Sequence, residues 1–216
     1  MNKIYDVFLF DLDGTISDTS PGIIKGVLYA LKMFGIEETD STRLYKMIGP
    51  PLWYSFEQFY GFSREKALEA VKYYREYYTE KGIYDNCIYD GIKDVVNVLK
   101  EAGKTLAVAT SKPEPFAKTM IEQLGLTPYF NYVAGMELDG GRGTKAEVIR
   151  YALEACGIQD KSKVLMIGDR EYDVIGASEV GVDSLGILYG YGTREELMKA
   201  GATYIVETVE EILNFR

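Results

Sequence analysis

Two carboxylates stand one residue apart at the point where an apolar segment of the chain stops. The Val-Phe-Leu-Phe segment at 7–10 is followed directly by Asp-Leu-Asp-Gly-Thr at 11–15. Two like charges about 4 Å apart repel by roughly 4 kcal/mol at an effective dielectric near 20. Asp11 and Asp13 therefore require a cation, a phosphate-binding network or both to offset this repulsion, which indicates a chemical site.

Other polar residues follow apolar segments in the same way. A Thr-Ser-Lys segment at 110–112 follows the apolar residues 106–109, and Gly-Asp-Arg-Glu-Tyr-Asp at 168–173 follows 164–167. A lysine also begins the helical pattern that precedes 164–167. If the apolar segments are parallel strands, these groups meet at the carboxyl edge of one sheet. The candidates are Thr110, Ser111, Lys112, Lys145, Asp169 and Asp173.

The apolar segments that must position these groups are short and rich in Val, Ile and Leu. Their continuous hydrophobicity is typical of strands that are buried on both faces of a parallel sheet. Helical patterns at 91–102 and 144–156 separate them, and Thr144 with Glu147 has the spacing of a capping box. The order predicts an α/β fold with a doubly wound (Rossmann-like) parallel sheet. The predicted strands are 7–10, 106–109, 132–134, 164–167, 184–188 and 204–206.

The region between the first two strands has a different pattern. It contains helical periods over 20–35 and 63–82 but no convincing strand. We therefore predict a core formed by 1–15 and 88–216 and an inserted, all-helical cap domain over 16–87. The hinges are expected near 16–19 and 86–89, where they would allow the cap to close and exclude water.

Composition narrows the possible functions. The chain has 216 residues, of which 47% are hydrophobic and 26% charged, and its formal net charge is −9. This charge disfavours a nucleic acid polymer as partner, because phosphate backbones are held by clustered Lys and Arg. A small phosphorylated metabolite remains compatible with a locally cationic cleft. Without an apolar segment long enough to span a bilayer, we expect no membrane association and a cytoplasmic location. We also expect a monomer or weak dimer.

The residue inventory excludes several kinds of catalysis. The chain has no histidine, so it cannot contain a Ser-His-Asp triad, a phosphohistidine or a histidine metal ligand. Cys87 and Cys156 have no nearby cysteine partner, and we expect two buried free thiols. Any catalysis falls to carboxylates, lysines and hydroxyls.

Taken in order, the polar segments resemble the motifs of the haloacid dehalogenase-like hydrolases. Asp-Leu-Asp-Gly-Thr at 11–15 corresponds to the first motif, Thr110 to the second, Lys145 to the third, and Gly-Asp with Asp173 to the fourth. The helical insertion matches the family's cap. The resemblance covers nearly the whole chain, and its ordered set of motifs is far more specific than any one of them.

The resemblance implies a role for each residue. Asp11 would attack phosphorus to form an aspartyl-phosphate, and Asp13 would act as general acid and then general base. Mg²⁺ would be held by Asp11, Asp169 and the main-chain carbonyl of Asp13. Lys145 would stabilise charge, and Asp173 would orient Lys145 or metal-bound water. The phosphate group would be bound by Thr110, Ser111, Lys145 and Gly14.

The cap sequence bears on the substrate. The Gly-Pro-Pro-Leu segment that begins at Gly49 and includes Pro50 and Pro51 resembles the cap loop of the phosphoglycolate phosphatase-like and 5′-nucleotidase-like branches, and the second resemblance is favoured. Arg43 and Lys46 precede it and are candidates for a second anionic group of the substrate. The implied function is a Mg²⁺-dependent phosphomonoesterase, with a nucleoside 5′-monophosphate or phosphoglycolate as leading substrates.

Alternatives remain open. A sugar-phosphate mutase of the β-phosphoglucomutase type would use the same core residues. A phosphonatase would need a cap lysine, such as Lys25, Lys32 or Lys46, to form a Schiff base. A non-catalytic module of this fold would be expected to lack Asp11, Asp13 or Lys145, and all three are present.

Overall fold

The computed structural model describes residues 3–138 and 141–216. It consists of two compact units, one formed by Met1–Ser17 with Ile88–Arg216 and the other by Asp18–Cys87. The chain passes between them in two short strands that pair with each other, β2 (Ser17–Asp18) and β3 (Cys87–Ile88). The predicted division after residue 15 lies two residues earlier than the one in the structure.

The first unit is built on a six-stranded parallel sheet, which confirms the predicted fold class. The strand order is β5-β4-β1-β6-β7-β8, and each neighbouring pair runs parallel. The chain therefore extends from the central β1 in both directions, which creates a topological switch point beside it. The strands are β1 (Val7–Phe10), β4 (Thr105–Pro113), β5 (Tyr132–Met136), β6 (Val164–Gly168), β7 (Asp183–Ile187) and β8 (Tyr204–Val206).

Helices follow the strands of this unit. Alternate side chains of β1, β4 and β6 form an apolar cluster with residues of two of these helices. All four residues of β1 are buried, as expected for a central strand that is covered on both faces. The helices are α5 (Ile92–Glu101), α6 (Glu114–Gln123), α7 (Lys145–Ala155), α8 (Glu171–Val180) and α9 (Arg194–Ala200).

One of these helices, α8, has a weak sequence signal and was not predicted. Its contact surface contains Gly176 and Ala177 where a stronger amphipathic pattern would have large apolar residues. The glycine is required by close packing, because a Cβ there would lie 2.8 Å from Cγ of Lys145. The small residues therefore allow α8 to pack directly against the start of α7.

The second unit is helical, and its core combines aliphatic residues with pairs of stacked aromatic side chains. Phe56 and Phe62 stack with centroids 5.8 Å apart, and Tyr74 and Tyr78 stack at 5.2 Å. Gly26 lies against the ring of Tyr74, where a Cβ would come within 2.8 Å of ring carbons. The helices of this unit are α1 (Ser20–Met33), α2 (Ser41–Lys46), α3 (Leu52–Tyr60) and α4 (Arg64–Glu80).

Two further observations concern the whole described chain. Within 3–138 and 141–216, no helix combines the length and the apolarity that crossing a membrane would require. Cys87 and Cys156 are both thiols and form no disulfide, but the expectation that both are buried was wrong, because Cys87 is exposed in the short strand β3 and Cys156 is only partly buried.

Candidate active site

Three adjacent strands place the predicted core residues at one edge of the sheet. Asp11 directly follows β1, and its N–H donates to the carbonyl of Ile167 in β6 at 2.9 Å. Asp169 directly follows β6, and Thr110 lies in β4 on the other side of β1. The prediction that the polar segment 110–112 follows its strand was wrong, because β4 extends to Pro113 and includes this segment. The register between β4 and β5 shifts here, between Ala109 and Pro113.

Three buried carboxylates form a cluster at this edge. Asp11, Asp169 and Asp173 each present an oxygen, and these oxygens lie within 4.8 Å of one another. Asp169 is fully buried and Asp173 is 2% exposed. Because water cannot screen charges at this depth, the cluster needs compensating positive charge.

Lys145 supplies part of that charge. Its Nζ lies 2.8 Å from Oδ1 of Asp11 and 2.6 Å from Oδ1 of Asp173, and it donates a hydrogen bond to the carbonyl of Ala109 at 3.0 Å. Burial alone would lower the pKa of Lys145, but the two carboxylates outweigh burial and raise it above its ordinary value. The lysine is therefore a permanent cation within the site.

The position of Lys145 follows from the start of α7. Thr144 caps this helix, because its Oγ1 accepts from the N–H of Glu147 at 3.2 Å and the Glu147 carboxylate accepts from the N–H of Thr144 at 2.9 Å. This is the capping box that the sequence predicted. Lys145 is the first residue of the helix and is buried against α8.

Asp169 is oriented by hydrogen bonds to both of its carboxylate oxygens. The hydroxyl of Thr15 donates to Oδ1 at 3.2 Å, and the N–H of Tyr191 donates to Oδ2 at 2.8 Å. Burial, followed by the charges of Asp173 and Asp11, raises the pKa of Asp169 well above its ordinary value. The same burial raises the pKa of Asp173 to about 6, although Lys145 acts against this shift.

The donor set fits a divalent cation. Three carboxylates surround one ammonium, so the cluster carries an excess of negative charge when all are ionised. Oδ1 of Asp11 and Oδ1 of Asp173 contact Lys145 at ion-pair distance, but neither has a hydrogen bond of good geometry within the described chain. Hard oxygen ligands with unsatisfied charge are suited to Mg²⁺ or a similar ion.

Asp173 also anchors the next helix. Its Oδ2 accepts from the N–H of Arg170 at 3.1 Å, which satisfies a main-chain donor at the start of α8. Its carboxylate is thus engaged by Lys145 on one oxygen and by main chain on the other. The role of Asp173 in orienting Lys145 or metal-bound water stays a prediction.

Asp13 has a different environment from Asp11. Its carboxylate is 22% exposed and is contacted by Lys112, whose Nζ lies 2.9 Å from both Oδ1 and Oδ2. The side chain of Lys112 is 5% exposed. Each of the two carboxylates of segment 11–15 is therefore paired with its own lysine.

Gly14 permits the close approach of these segments. Its φ is +82°, and a Cβ there would lie 2.7 Å from Cγ of Asp169. Ser111 is half-buried in β4 beside Thr110, whose Oγ1 accepts from the N–H of Lys112 at 3.2 Å. The structure therefore brings the predicted phosphate-binding residues of the first unit to the same sheet edge.

The motifs in the sequence do not single out residues 189–192, which also contact the site. The N–H of Tyr191 binds Asp169, and the hydroxyl of Tyr189 donates to the carbonyl of Thr15 at 3.1 Å. A Cβ at Gly190 would lie 2.5 Å from Cβ of Asp169. The available signal was a Tyr-Gly-Tyr-Gly sequence after a predicted strand, where a ligand-proximal loop is expected.

The candidate specificity residues lie in the second unit. Arg43 pairs with Glu38 (2.8 Å) and Lys46 is the exposed last residue of α2. Gly49 has φ +105°, and the chain continues through Pro50 to Pro51, which occupies the N-cap position of α3. Their role in substrate recognition stays a prediction.

Comparisons with known proteins identify the family. The family profile described as haloacid dehalogenase-like hydrolase matches residues 8–187. The chain is 45% identical over 193 residues to a 5′-nucleotidase of Pseudomonas aeruginosa, covering 89% of this chain and 87% of that protein. It is also 34% identical over 206 residues to the tyrosine-protein kinase PtkA of Mycobacterium tuberculosis, covering 94% of this chain and 70% of the kinase.

A solved structure leads to the same conclusion. The haloacid dehalogenase-like family hydrolase of Streptococcus pneumoniae superposes with a TM-score of 0.91 at 32% identity, covering 100% of this chain and 99% of the other. The profile match spans most of the chain, and the strand-edge aspartates and Lys145 lie where the resemblance implied. The chain therefore belongs to the haloacid dehalogenase-like hydrolases and is a phosphatase of that family.

Proposed function

We propose that the protein is a Mg²⁺-dependent phosphomonoesterase that acts through an aspartyl-phosphate on Asp11. The observation that carries this proposal is that the two carboxylates of segment 11–15 lie in different environments. Asp11 is buried beside Lys145 in the acidic cluster, whereas Asp13 is partly exposed and paired with Lys112. Two like groups in unlike environments are suited to two different roles.

Asp11 is the proposed nucleophile. A bond forms between its carboxylate oxygen and phosphorus while the bond from phosphorus to the ester oxygen breaks. Asp13 donates its proton to the departing oxygen, so that the alcohol leaves as a neutral molecule. Lys145 offsets the negative charge that accumulates on the phosphoryl oxygens, and the hydroxyl of Thr110 donates to one of them.

Hydrolysis of the intermediate uses the same groups in reverse. Asp13, now a carboxylate, removes a proton from water as the water oxygen attacks phosphorus. The bond from phosphorus to Asp11 breaks, and inorganic phosphate leaves. Asp11 and Asp169, with the main-chain carbonyl of Asp13, would hold Mg²⁺, which supplies further positive charge for phosphoryl transfer when bound.

The proposed substrate is a nucleoside 5′-monophosphate. Support comes from the 45% identity to a relative named 5′-nucleotidase and from the Gly-Pro-Pro-Leu segment at 49–52. Under this proposal the helical unit is a cap, and Arg43, Lys46 and residues 49–51 contribute to specificity. Phosphoglycolate is the second substrate to test.

The phosphonatase alternative is not favoured at Lys25. Its Nζ pairs with Asp85 at 2.9 Å, and the hydrogen bond to this carboxylate raises the pKa of Lys25. A lysine that forms a Schiff base must be neutral when it attacks, so a raised pKa opposes this chemistry.

Phosphate release from a panel of phosphate esters tests the proposal. We expect turnover of nucleoside 5′-monophosphates that is lost with EDTA and restored by Mg²⁺. Asp11→Asn should reduce turnover by at least about 1,000-fold, because its amide cannot attack phosphorus, whereas Asp6→Asn, an exposed control, should retain it. Full activity of Asp11→Asn, or no turnover of any ester by the wild type, would contradict the proposal. Transfer of phosphate to a second sugar hydroxyl faster than to water would instead indicate a mutase.

A further inference from the structure

Lys112 contacts the carboxylate of Asp13 through both oxygens. Its Nζ lies 2.9 Å from Oδ1 and 2.9 Å from Oδ2, although 99 residues separate the two along the chain. We infer that Lys112 is a positioning residue, which holds the Asp13 carboxyl in the orientation needed for proton transfer to the leaving group. This inference rests on the proposed function and deepens it.

The burial of Lys112 is the first argument. The side chain is 5% exposed, although a lysine usually keeps its ammonium group in water. Removing an ammonium group from water costs several kcal/mol, and surface ion pairs return little of this cost. The strand itself does not require a lysine here, since β-strands favour β-branched and aromatic residues. The pairing with Asp13 accounts for this burial.

The second argument is the link between Lys112 and Thr110. The main-chain N–H of Lys112 donates to Oγ1 of Thr110 at 3.2 Å, while its side chain contacts Asp13. Because Oγ1 accepts this bond, the Thr110 O–H remains a donor for a phosphoryl oxygen. Lys112 thus connects the hydroxyl of Thr110, which is proposed to bind phosphate, with Asp13, the proposed acid. The register shift between β4 and β5 lies in the same part of β4.

The third argument is the division between the two lysines. Lys145 contacts Asp11 and Asp173, and Lys112 contacts Asp13. Loss of Lys112 should therefore affect proton transfer and leave the acidic cluster in place. The effect of losing Lys112 can therefore be distinguished from a general disruption of the acidic cluster.

The leaving group provides the test. The value of kcat/KM depends on the steps up to and including departure of the alcohol. A general acid that protonates the departing oxygen accelerates that departure by about 100-fold to 10,000-fold. An alkyl ester, such as a nucleoside 5′-monophosphate, requires protonation of its leaving oxygen. The p-nitrophenolate ion of p-nitrophenyl phosphate is stable without a proton. The ratio of kcat/KM for the two esters therefore measures how well Asp13 is positioned.

We expect Lys112→Met to lower kcat/KM for the alkyl ester by at least about 30-fold and for p-nitrophenyl phosphate by less than about 5-fold. Lys112→Arg, which keeps a cation that can contact both oxygens, should recover most of the loss. Lys104→Met is the control. Lys104 precedes the first residue of β4 and pairs with Asp6 at 3.0 Å, so its loss should leave the ratio of the two kcat/KM values unchanged. Stabilisation by Mg²⁺ should be the same in all of these proteins. Should Lys112→Met fail to fold, Lys112→Gln carries the same comparison.

Asp13→Asn distinguishes failure of this inference from failure of the proposed function. One outcome is that Asp13→Asn lowers kcat/KM selectively for the alkyl ester, whereas neither Lys112→Met nor Lys112→Gln does. The positioning role of Lys112 is then wrong and the proposed function stands. If Asp13→Asn impairs both esters equally in kcat/KM, the proposed acid role of Asp13 is wrong, and the inference is overturned with it. Equal losses for both esters in a Lys112 variant would also overturn the inference.

Discussion

The main-chain N–H of Tyr191 donates to Oδ2 of Asp169 at 2.8 Å. The hydroxyl of Thr15 binds the other oxygen of the same carboxylate at 3.2 Å. Asp169 is therefore oriented by one segment that follows β1 and another that follows β7. Partners of this kind fix a ligand before the metal arrives, and their loss typically costs 10-fold to 100-fold in metal affinity.

Gly190→Ala should weaken Mg²⁺ binding. A Cβ at this position would lie 2.5 Å from Cβ of Asp169 and 2.7 Å from its Oδ2. The loop would have to move, with a loss of about 1–3 kcal/mol in the free energy of unfolding and at least about 10-fold in Mg²⁺ affinity. Denaturant titration and Mg²⁺ titration measure the two effects. Gly181→Ala is the control, because φ is +80° there and no atom lies within 4 Å of the added Cβ. It should cost about 1 kcal/mol without changing Mg²⁺ affinity, and an unchanged affinity in Gly190→Ala would contradict the prediction.

Lys145→Met should destabilise the metal-free protein and abolish turnover. Removing the ammonium leaves the carboxylates of Asp11 and Asp173 without the cation that contacts them, at a cost of about 3–5 kcal/mol. Adding Asp173→Asn should recover part of the stability, because one buried charge is removed, but none of the activity. Urea denaturation in EDTA and a phosphate-release assay measure these outcomes. Lys199→Met, at an exposed position, should change stability by less than about 0.5 kcal/mol. If Lys145→Met alone were as stable as the wild type, this prediction would be contradicted.

Stabilisation by Mg²⁺ should increase with pH. Burial raises the pKa of Asp169 well above its ordinary value of 3.8 and the pKa of Asp173 to about 6. Between the ordinary and raised pKa values the folded metal-free protein binds more protons than the unfolded chain, so its stability falls as pH rises through that window. Lys145 does not alter this trend below pH 10, because its pKa is raised and its contribution is fully present there.

The melting temperature in EDTA and in Mg²⁺, measured from pH 5 to pH 8, checks this prediction. The difference between the two should grow with pH, because Mg²⁺ competes with protons for the same carboxylates. In Asp169→Asn the growth should be much smaller. A difference that is constant over this range in the wild type would show that the carboxylates are already ionised without metal.

Thr144→Ala should reduce both stability and turnover. It removes the cap of α7, at a cost of about 1 kcal/mol, and Lys145 is the first residue of that helix. Fraying at this end would loosen the contact of Lys145 with Asp11, so kcat should fall several-fold. The matched control is Thr193→Ala, which removes an equivalent hydrogen bond at the start of α9. It should lower the free energy of unfolding by a similar amount and leave kcat unchanged, so equal kcat values for the two variants would contradict the link to Lys145.

The two-residue strands β2 and β3 were not predicted, but the six strands of the parallel sheet, several helix ends and most polar residues at its carboxyl edge were. These features depend on local physics: a continuous apolar segment such as 7–10 has few alternatives to a buried strand, and Thr144 with Glu147 forms a cap within four residues. Asp11, Thr110, Lys145 and Asp169 were identified for the same reason, because each lies in or beside a recognisable strand or helix end.

Several pairings at the sheet edge follow from the fold and not from local sequence. The pair of Lys112 with Asp13 and the hydrogen bond from Tyr191 to Asp169 were not predicted, and each joins residues from different segments of the chain. The type of a residue does not reveal its partner, since an ammonium group is attracted to any carboxylate within reach. The order of strands β4, β1 and β6 brings particular carboxylates within reach of particular lysines, and this order gives Asp11 and Asp13 different partners.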